Sequence, residues 1–213
     1  MVQTHLEAPR VEVTAVIRNE PVQARSAARL TALLDAAAHV IHEIGYERLT
    51  TAMVADRAGA SIGTVYRYFP DRIAVLQSLA ARNAERTSGL ALEEIGNPAH
   101  ADWVTALGAA FHHVMIAFRD EPGFASLRYG DVIDVRPAPG TPALQVFADR
   151  VFDALVERFG LDGSDDARTA FAAAVITSDA LCARAYAQDP AGDERFLAAG
   201  RRATTALLEP FWG

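Results

Sequence analysis

Along most of the chain, apolar residues recur every three to four positions between short polar or Pro/Gly-rich breaks, the period of amphipathic helices packed on a core. From Ser26 the apolar face is Leu30, Leu33, Leu34, Ala37, Ile41 and Ile44, and Gly45 is a suitable stop. Two much shorter segments hinged at Gly59 follow; Thr50 or Thr51 can cap the first and Ser61 the second, each hydroxyl accepting an orphan backbone N–H. Pro70 ends the second segment, and Asp71 caps a long helix running to about Ile95.

Asn97-Pro98 breaks the chain before a helix from about Asp102 to Arg119 that carries Trp103, Leu107, Phe111, Val114 and Phe118 and closes at Glu121-Pro122-Gly123. Residues 135–142 are Pro-rich and form the clearest internal loop. Thr141 as cap with Pro142 at the first helical position opens a helix with Leu144, Phe147, Val151, Leu155 and Phe159, stopping at Gly160. Two more helices are predicted at about Asp165 to Gln188 and Asp193 to Leu208. Val11-Glu12-Val13-Thr14 is too short an alternation to argue for a strand, and residues 1–24 read as a flexible arm. The fold class is therefore all-α, with about nine helices: an amino-terminal three-helix unit at 25–72 and a larger helical domain at 73–213.

The segment after Gly59 is only about two turns long yet carries Thr64, Tyr66, Arg67 and Tyr68, too polar and aromatic a set for a core helix of that length. It reads as the second helix of a helix-turn-helix, presented to DNA. Charge adds little support. The net charge is −7, and residues 25–72 hold six Arg against five acids, far from a strong basic footprint. All twenty basic residues are Arg, the side chain best suited to bidentate contact with guanine or phosphate.

Composition narrows the class further. A 51% hydrophobic chain is not disordered, and its apolar runs are interrupted well before the roughly 18 residues that a membrane span needs. Glu7, Glu12 and Glu20 break any signal-peptide core, so a soluble cytoplasmic protein without membrane association is expected. The single cysteine, Cys182, rules out an intrachain disulfide and any multi-cysteine metal site.

The ordered set Leu49-Thr50-Thr51, Val54-Ala55, Ala58-Gly59-Ala60-Ser61, Gly63-Thr64-Val65-Tyr66, Tyr68-Phe69 and Asp71-Arg72 resembles the amino-terminal signature of the tetracycline-repressor (TetR) family of bacterial transcriptional regulators, over about residues 26–75. The resemblance implies that Thr51 offers a helix N-terminus to phosphate and that Ser61, Gly63, Thr64, Tyr66 and Arg67 lie on or beside the recognition helix. Thr64 and Tyr66 would meet the backbone or a thymine methyl, Arg67 a base edge, and Arg72 a phosphate. Val54, Ala55, Ala58, Val65 and Phe69 fit the core of the small domain, and Tyr68 is divided between core and surface. Ile62 departs from the family, in which many members carry Lys or Arg there; Arg25, Arg29 and Arg18 are candidates to compensate.

In the larger domain Trp103, Phe111, Met115, Phe118, Phe124, Tyr129, Phe147, Phe171 and Tyr186 are candidates to line an effector pocket, with Asp131, Asp179 and Arg184 as polar handles. The competing reading is that these aromatics are simply core, since they bury themselves whether or not a ligand exists. The last two helices are rich in small residues, among them Ala172, Ala173, Ser178, Ala180, Ala183, Ala199, Gly200 and Ala203, as suits a bundle shared between two subunits.

Rival chemistry is present on paper. Gly59-Ala60-Ser61-Ile62-Gly63 is a literal G-x-S-x-G, but that nucleophile elbow needs a strand where a helix is predicted, so a serine hydrolase is set aside. His112-His113 are adjacent on a helix and point about 100 degrees apart, and His39 and His42 fit a polar face; no metal or cofactor is expected. The sequence thus predicts a homodimeric repressor that holds a palindromic operator and is released by a small apolar or aromatic effector. A DNA-binding regulator without effector, controlled by a protein partner, is the alternative and would have a solid carboxy-terminal core.

Overall fold

The computed structural model describes residues 24–130, 141–187 and 189–213. Among them all regular structure is helical: α1 (Ala24–Ile44), a 3-10 turn (Tyr46–Arg48), α2 (Thr51–Arg57), α3 (Ile62–Tyr68), α4 (Arg72–Gly96), α5 (Trp103–Asp120), α6 (Phe124–Leu127), α7 (Ala143–Phe159), α8 (Asp165–Tyr186) and α9 (Glu194–Trp212). Residues 1–23 of the predicted 1–24 arm, Arg18 among them, most of the predicted 135–142 loop, and Asp131 lie outside the described residues, and Ala24 already belongs to α1.

The helix starts follow from local chemistry. Thr50, Ser61, Asp71, Asp102 and Ser164 are extended N-caps whose side chains accept from Met53, Thr64, Ala74, Thr105 and Ala167 N–H respectively, satisfying donors that a helix start leaves orphaned. The turn between α2 and α3 is a Schellman motif: Ala60 N–H bonds Ala55 O at 2.9 Å, Gly59 N–H bonds Asp56 O at 3.1 Å, and Gly59 supplies the left-handed residue at φ 58°.

Four details differ from the sequence expectation. Pro142 is the N-cap of α7, its carbonyl accepting from Val146, and Thr141 precedes the helix. Helix α8 stops at Tyr186. Helix α9 continues past Leu208 to Trp212, because Pro210 lies in the final turn, where it forgoes a single bond, and the buried Trp212 donates from its indole to Asp162 O at 3.0 Å. The 3-10 turn and α6 are too short to carry a period and were not anticipated.

Two hydrophobic clusters organise the chain. The smaller joins Leu33, Leu34, Ala37 and Ile41 of α1 with Leu49, Val54, Val65, Tyr68 and Phe69, and it reaches up α4 from Ile73 to Ala80. The larger is built from α5, α7, α8 and α9 with Ala84, Ala91 and Ile95 of α4. Helix α4 belongs to both. So does the α6 turn: Leu127 is buried in the small cluster, while Phe124 and Tyr129 are buried in the large one. Helices α8 and α9 pack closely at Gly200, where a Cβ would stand 3.8 Å from Leu181, so part of the small-residue stripe serves packing within one chain.

Candidate functional site

Helix α3 is held at the surface by its buried residues Val65 and Tyr68, which leaves Ile62, Gly63, Tyr66 and Arg67 exposed along one side. Ile62 and Tyr66 are each 43% exposed, high for apolar or aromatic side chains that could have turned inward. Ser61 Oγ accepts from Thr64 N–H at 3.1 Å and lies 2.9 Å from Thr64 Oγ1, so both hydroxyls serve the cap. Thr51 Oγ1 donates to the Tyr66 hydroxyl at 3.3 Å, linking the first turn of α2 to the middle of α3. Helix α2, not a strand, enters the turn at Ser61, which is not the setting of a nucleophile elbow.

The arginines of this unit divide by task. Arg57 reaches Glu43 at 2.5 Å and ties α2 to α1; the same bond holds the Glu43 carboxyl below its ordinary range. Arg72 Nη1 donates to Tyr46 O at 3.2 Å and Glu47 O at 2.7 Å, anchoring the 3-10 turn to α4. Arg67 lies 5.8 Å from the Tyr68 ring centroid, and Arg25 and Arg29 are exposed on α1. Val54, Ala55, Val65 and Phe69 are buried, Ala58 is half-buried, and Tyr68 is buried with the core.

The large domain holds a cavity of about 380 Å³ between α5, α7, α8 and α9, with a mouth at the exposed Val104, Gly108 and Arg201. Trp103, Phe111, Met115, Tyr129, Phe147 and Phe171 line it, with Asp179 and Ser178 on α8 and Thr204 on α9 at its polar wall. Ser178 Oγ and Thr204 Oγ1 are 2.9 Å apart, and Asp179 Oδ2 is 3.3 Å from Arg128 Nε. The surrounding groups are well desolvated: burial pushes the Tyr129 hydroxyl well above its ordinary range and the Cys182 thiol up to about 12.

Two matches bear on kinship. The family model for "Bacterial regulatory proteins, tetR family" matches residues 33–79, and that for "Tetracyclin repressor-like, C-terminal domain" matches residues 101–212. The chain belongs to the tetracycline-repressor family. A TetR-family regulator of known structure from Streptomyces coelicolor is 32% identical, superposes with a TM-score of 0.73, and is matched over 86% of this chain and 99% of its own. SmeT, the repressor of the SmeDEF multidrug efflux pump of Stenotrophomonas maltophilia, shares the fold at TM-score 0.58 and 22% identity, over 86% of this chain and 90% of its own. The transcriptional repressor KstR of Rhodococcus jostii is 43% identical over 54 residues, which are 25% of this chain and 26% of KstR; the chain thus spans about a quarter of the length of the curated relatives it matches.

Within this TetR-family chain, most of the residues singled out on sequence gather around α3, around the cavity or in a layer behind it. Thr51, Ser61, Ile62, Gly63, Thr64, Tyr66, Arg67 and Arg72 cluster around α2, α3 and the start of α4, whereas Arg29 stands on α1. Trp103, Phe111, Met115, Tyr129, Phe147, Phe171 and Asp179 meet around the cavity. Phe118, Phe124 and Tyr186 are not in its wall. They form a layer behind it, Tyr186 stacked on Phe118 at 5.6 Å, Phe118 edge-on to Phe124 at 5.2 Å, and Phe124 edge-on to the lining Tyr129 at 5.9 Å. Arg184 lies over the Phe196 ring instead of facing the cavity.

Sequence reasoning passed over the rest of the lining because it favoured aromatics. Leu107, Gly108 and Val114 on α5 and Ala174 and Val175 on α8 were identifiable as helical neighbours of Phe111 and Phe171 at spacings of three and four, whereas His112 adjoins Phe111 and Ser178 lies two turns on from Phe171. His113 turns the other way, to Glu94 of α4 at 2.9 Å, and His100 Nε2 meets the other Glu94 oxygen at 2.9 Å. Among the described residues no group of three or more His, Cys, Asp or Glu is placed to hold a metal ion, and no helix is long and apolar enough to cross a membrane.

Proposed function

We propose that the chain is a ligand-responsive DNA-binding transcriptional repressor, acting in the cytoplasm as a homodimer on a palindromic operator. The DNA-binding unit is residues 25–72 and the effector and dimerisation domain 73–213. The observation that carries the reading is the coexistence, on one frame of α4 and α6, of an outward-facing α3 and a separate apolar cavity of about 380 Å³. Exposed Ile176 on α8, beside the half-exposed small residues of α8 and α9, favours dimerisation through these two helices.

In the dimer two copies of α3 enter successive major grooves roughly 34 to 36 Å apart. Arg67 reads a base edge, Thr64, Tyr66 and Ile62 meet backbone or thymine methyl, and the N-terminus of α2 at Thr51 faces a phosphate. A ligand in the cavity binds better to a conformer in which α4 has swung and the spacing of the two α3 helices no longer matches the groove repeat; that differential affinity releases DNA. Control by a protein partner alone is not favoured, because that reading expects a solid core and the large domain has a cavity. Genomic footprinting of the purified protein, with and without compounds made by the enzymes encoded beside the protected sites, tests the proposal. Protection of a palindrome that such a compound relieves is the expected result, and absence of any protected site overturns it.

A further inference from the structure

Asp179 stands at the polar wall of an otherwise apolar cavity, buried, with its Oδ2 3.3 Å from Arg128 Nε. The other charged cavity residue, Arg201, is exposed at the mouth and paired outward with Glu194. Arg128 is held in an unusual place. It occupies the first central position of the turn Leu127–Gly130, closed by Gly130 N–H to Leu127 O at 2.9 Å, with φ 48° and ψ −122°, a conformation ordinarily kept for glycine. Its carbonyl accepts from Asn83 Nδ2 of α4 at 3.0 Å.

Resting on the reading of this cavity as the effector site, we infer that the effector is an apolar organic cation whose ammonium takes the Asp179 carboxylate in competition with Arg128. In a site walled by Trp103, Phe111, Phe147 and Phe171, a carboxylate attracts a cation far more strongly than it would in water, and an anionic head is repelled. The side chain of Arg128 is 18% exposed, so its guanidinium has a route to solvent when displaced. Displacement removes the ion pair that steadies a strained turn, and that turn carries Leu127 into the small core beneath the DNA-reading unit.

The test uses decylamine, decanol and decanoate, which share one alkyl chain, with binding to the full-length protein measured by calorimetry at neutral pH. Protonated decylamine is expected to bind about tenfold tighter than the other two. Asp179→Asn is expected to abolish that preference, and Arg128→Gln to tighten decylamine binding by removing its competitor. Equal or tighter binding of decanol or decanoate overturns the inference, as does a preference that survives in Asp179→Asn. Should Asp179→Asn fail to fold, Arg128→Gln decides alone, unchanged or weaker decylamine binding being the adverse result. Binding of the unliganded protein to genomic DNA is measured in parallel: its absence defeats the repressor reading, whereas DNA binding without a cation preference defeats only the present one.

Discussion

Gly123 approaches α1 so closely that a Cβ on it would stand 2.6 Å from the carbonyl oxygen of Ala38 and 3.2 Å from the Ile41 side chain. The residue that precedes α6 therefore presses the larger helical cluster against α1 of the smaller one, and its φ of 73° is one that only glycine adopts cheaply. Gly123→Ala is expected to destabilise the protein by more than about 2 kcal/mol, from left-handed backbone strain plus a backbone clash that no side chain can relieve. Gly89→Ala is the control. It lies mid-helix in α4 with nothing within 4 Å of the new Cβ, and gains up to about 1 kcal/mol from helix propensity. Urea unfolding of the two variants reads the contrast.

Arg67 and Arg72 are separated by five positions and by function. Arg67→Ala is expected to cost roughly 1 to 3 kcal/mol at one base pair and to relax sequence preference there, with little change in thermal stability. Arg72→Ala instead loses two charge-assisted bonds, to Tyr46 O and Glu47 O, and is expected to lower stability by about 1 to 2 kcal/mol. Operator titrations over single-base variants, run beside melting curves, separate the two; an affinity profile unaltered by Arg67→Ala would remove Arg67 from the base-reading role.

What the sequence made legible follows from which features are local. The caps Ser61 and Asp71, the Gly59 hinge and the α1 face are each written within about four residues, so helix starts and the small core could be read directly. The aromatic set was legible as apolar but not as lining or backing. Whether Phe147 or Phe124 faces the void depends on how α5, α6 and α7 cross, which no local period encodes. The Arg128 turn was invisible for a sharper reason: the sequence offers Arg where the backbone calls for Gly, and the position is held by Asp179, 51 residues downstream.

Gly108 lines the cavity from α5, and an added Cβ there meets nothing within 4 Å. Gly108→Leu is therefore expected to project into free space, to weaken binding of apolar probes by about tenfold or more, and to leave the fold as stable as before or slightly firmer. Calorimetric titration with decanol, alongside a melting curve, checks both halves. Undiminished binding in a correctly folded Gly108→Leu protein would mean that ligands do not occupy this space.

Glu94 gives the chain a distinct acid sensitivity. Its carboxylate accepts from His100 and His113 at 2.9 Å each, and these two bonds, opposed by a smaller burial effect, draw its pKa down to about 2 from an ordinary value of 4.5. A group whose pKa is lower folded than unfolded stabilises the fold only while ionised, so the contribution is complete above about pH 4.5 and is lost as pH falls toward 2. Asp193, drawn down to about 2 by Arg195, fails over the same interval, so the wild-type profile alone does not isolate Glu94. The difference between wild type and Glu94→Gln does. Wild type is expected to be the more stable at pH 6, and the gap in urea midpoint to close between pH 4.5 and pH 2. Because the same carboxylate joins the end of α4 to α5 and to the loop before it, Glu94→Gln is also expected to loosen the α4 C-terminus, seen as faster amide exchange around Ile95 and Gly96. A gap that stays constant across the acid range would show that the two histidine bonds do not hold Glu94 ionised.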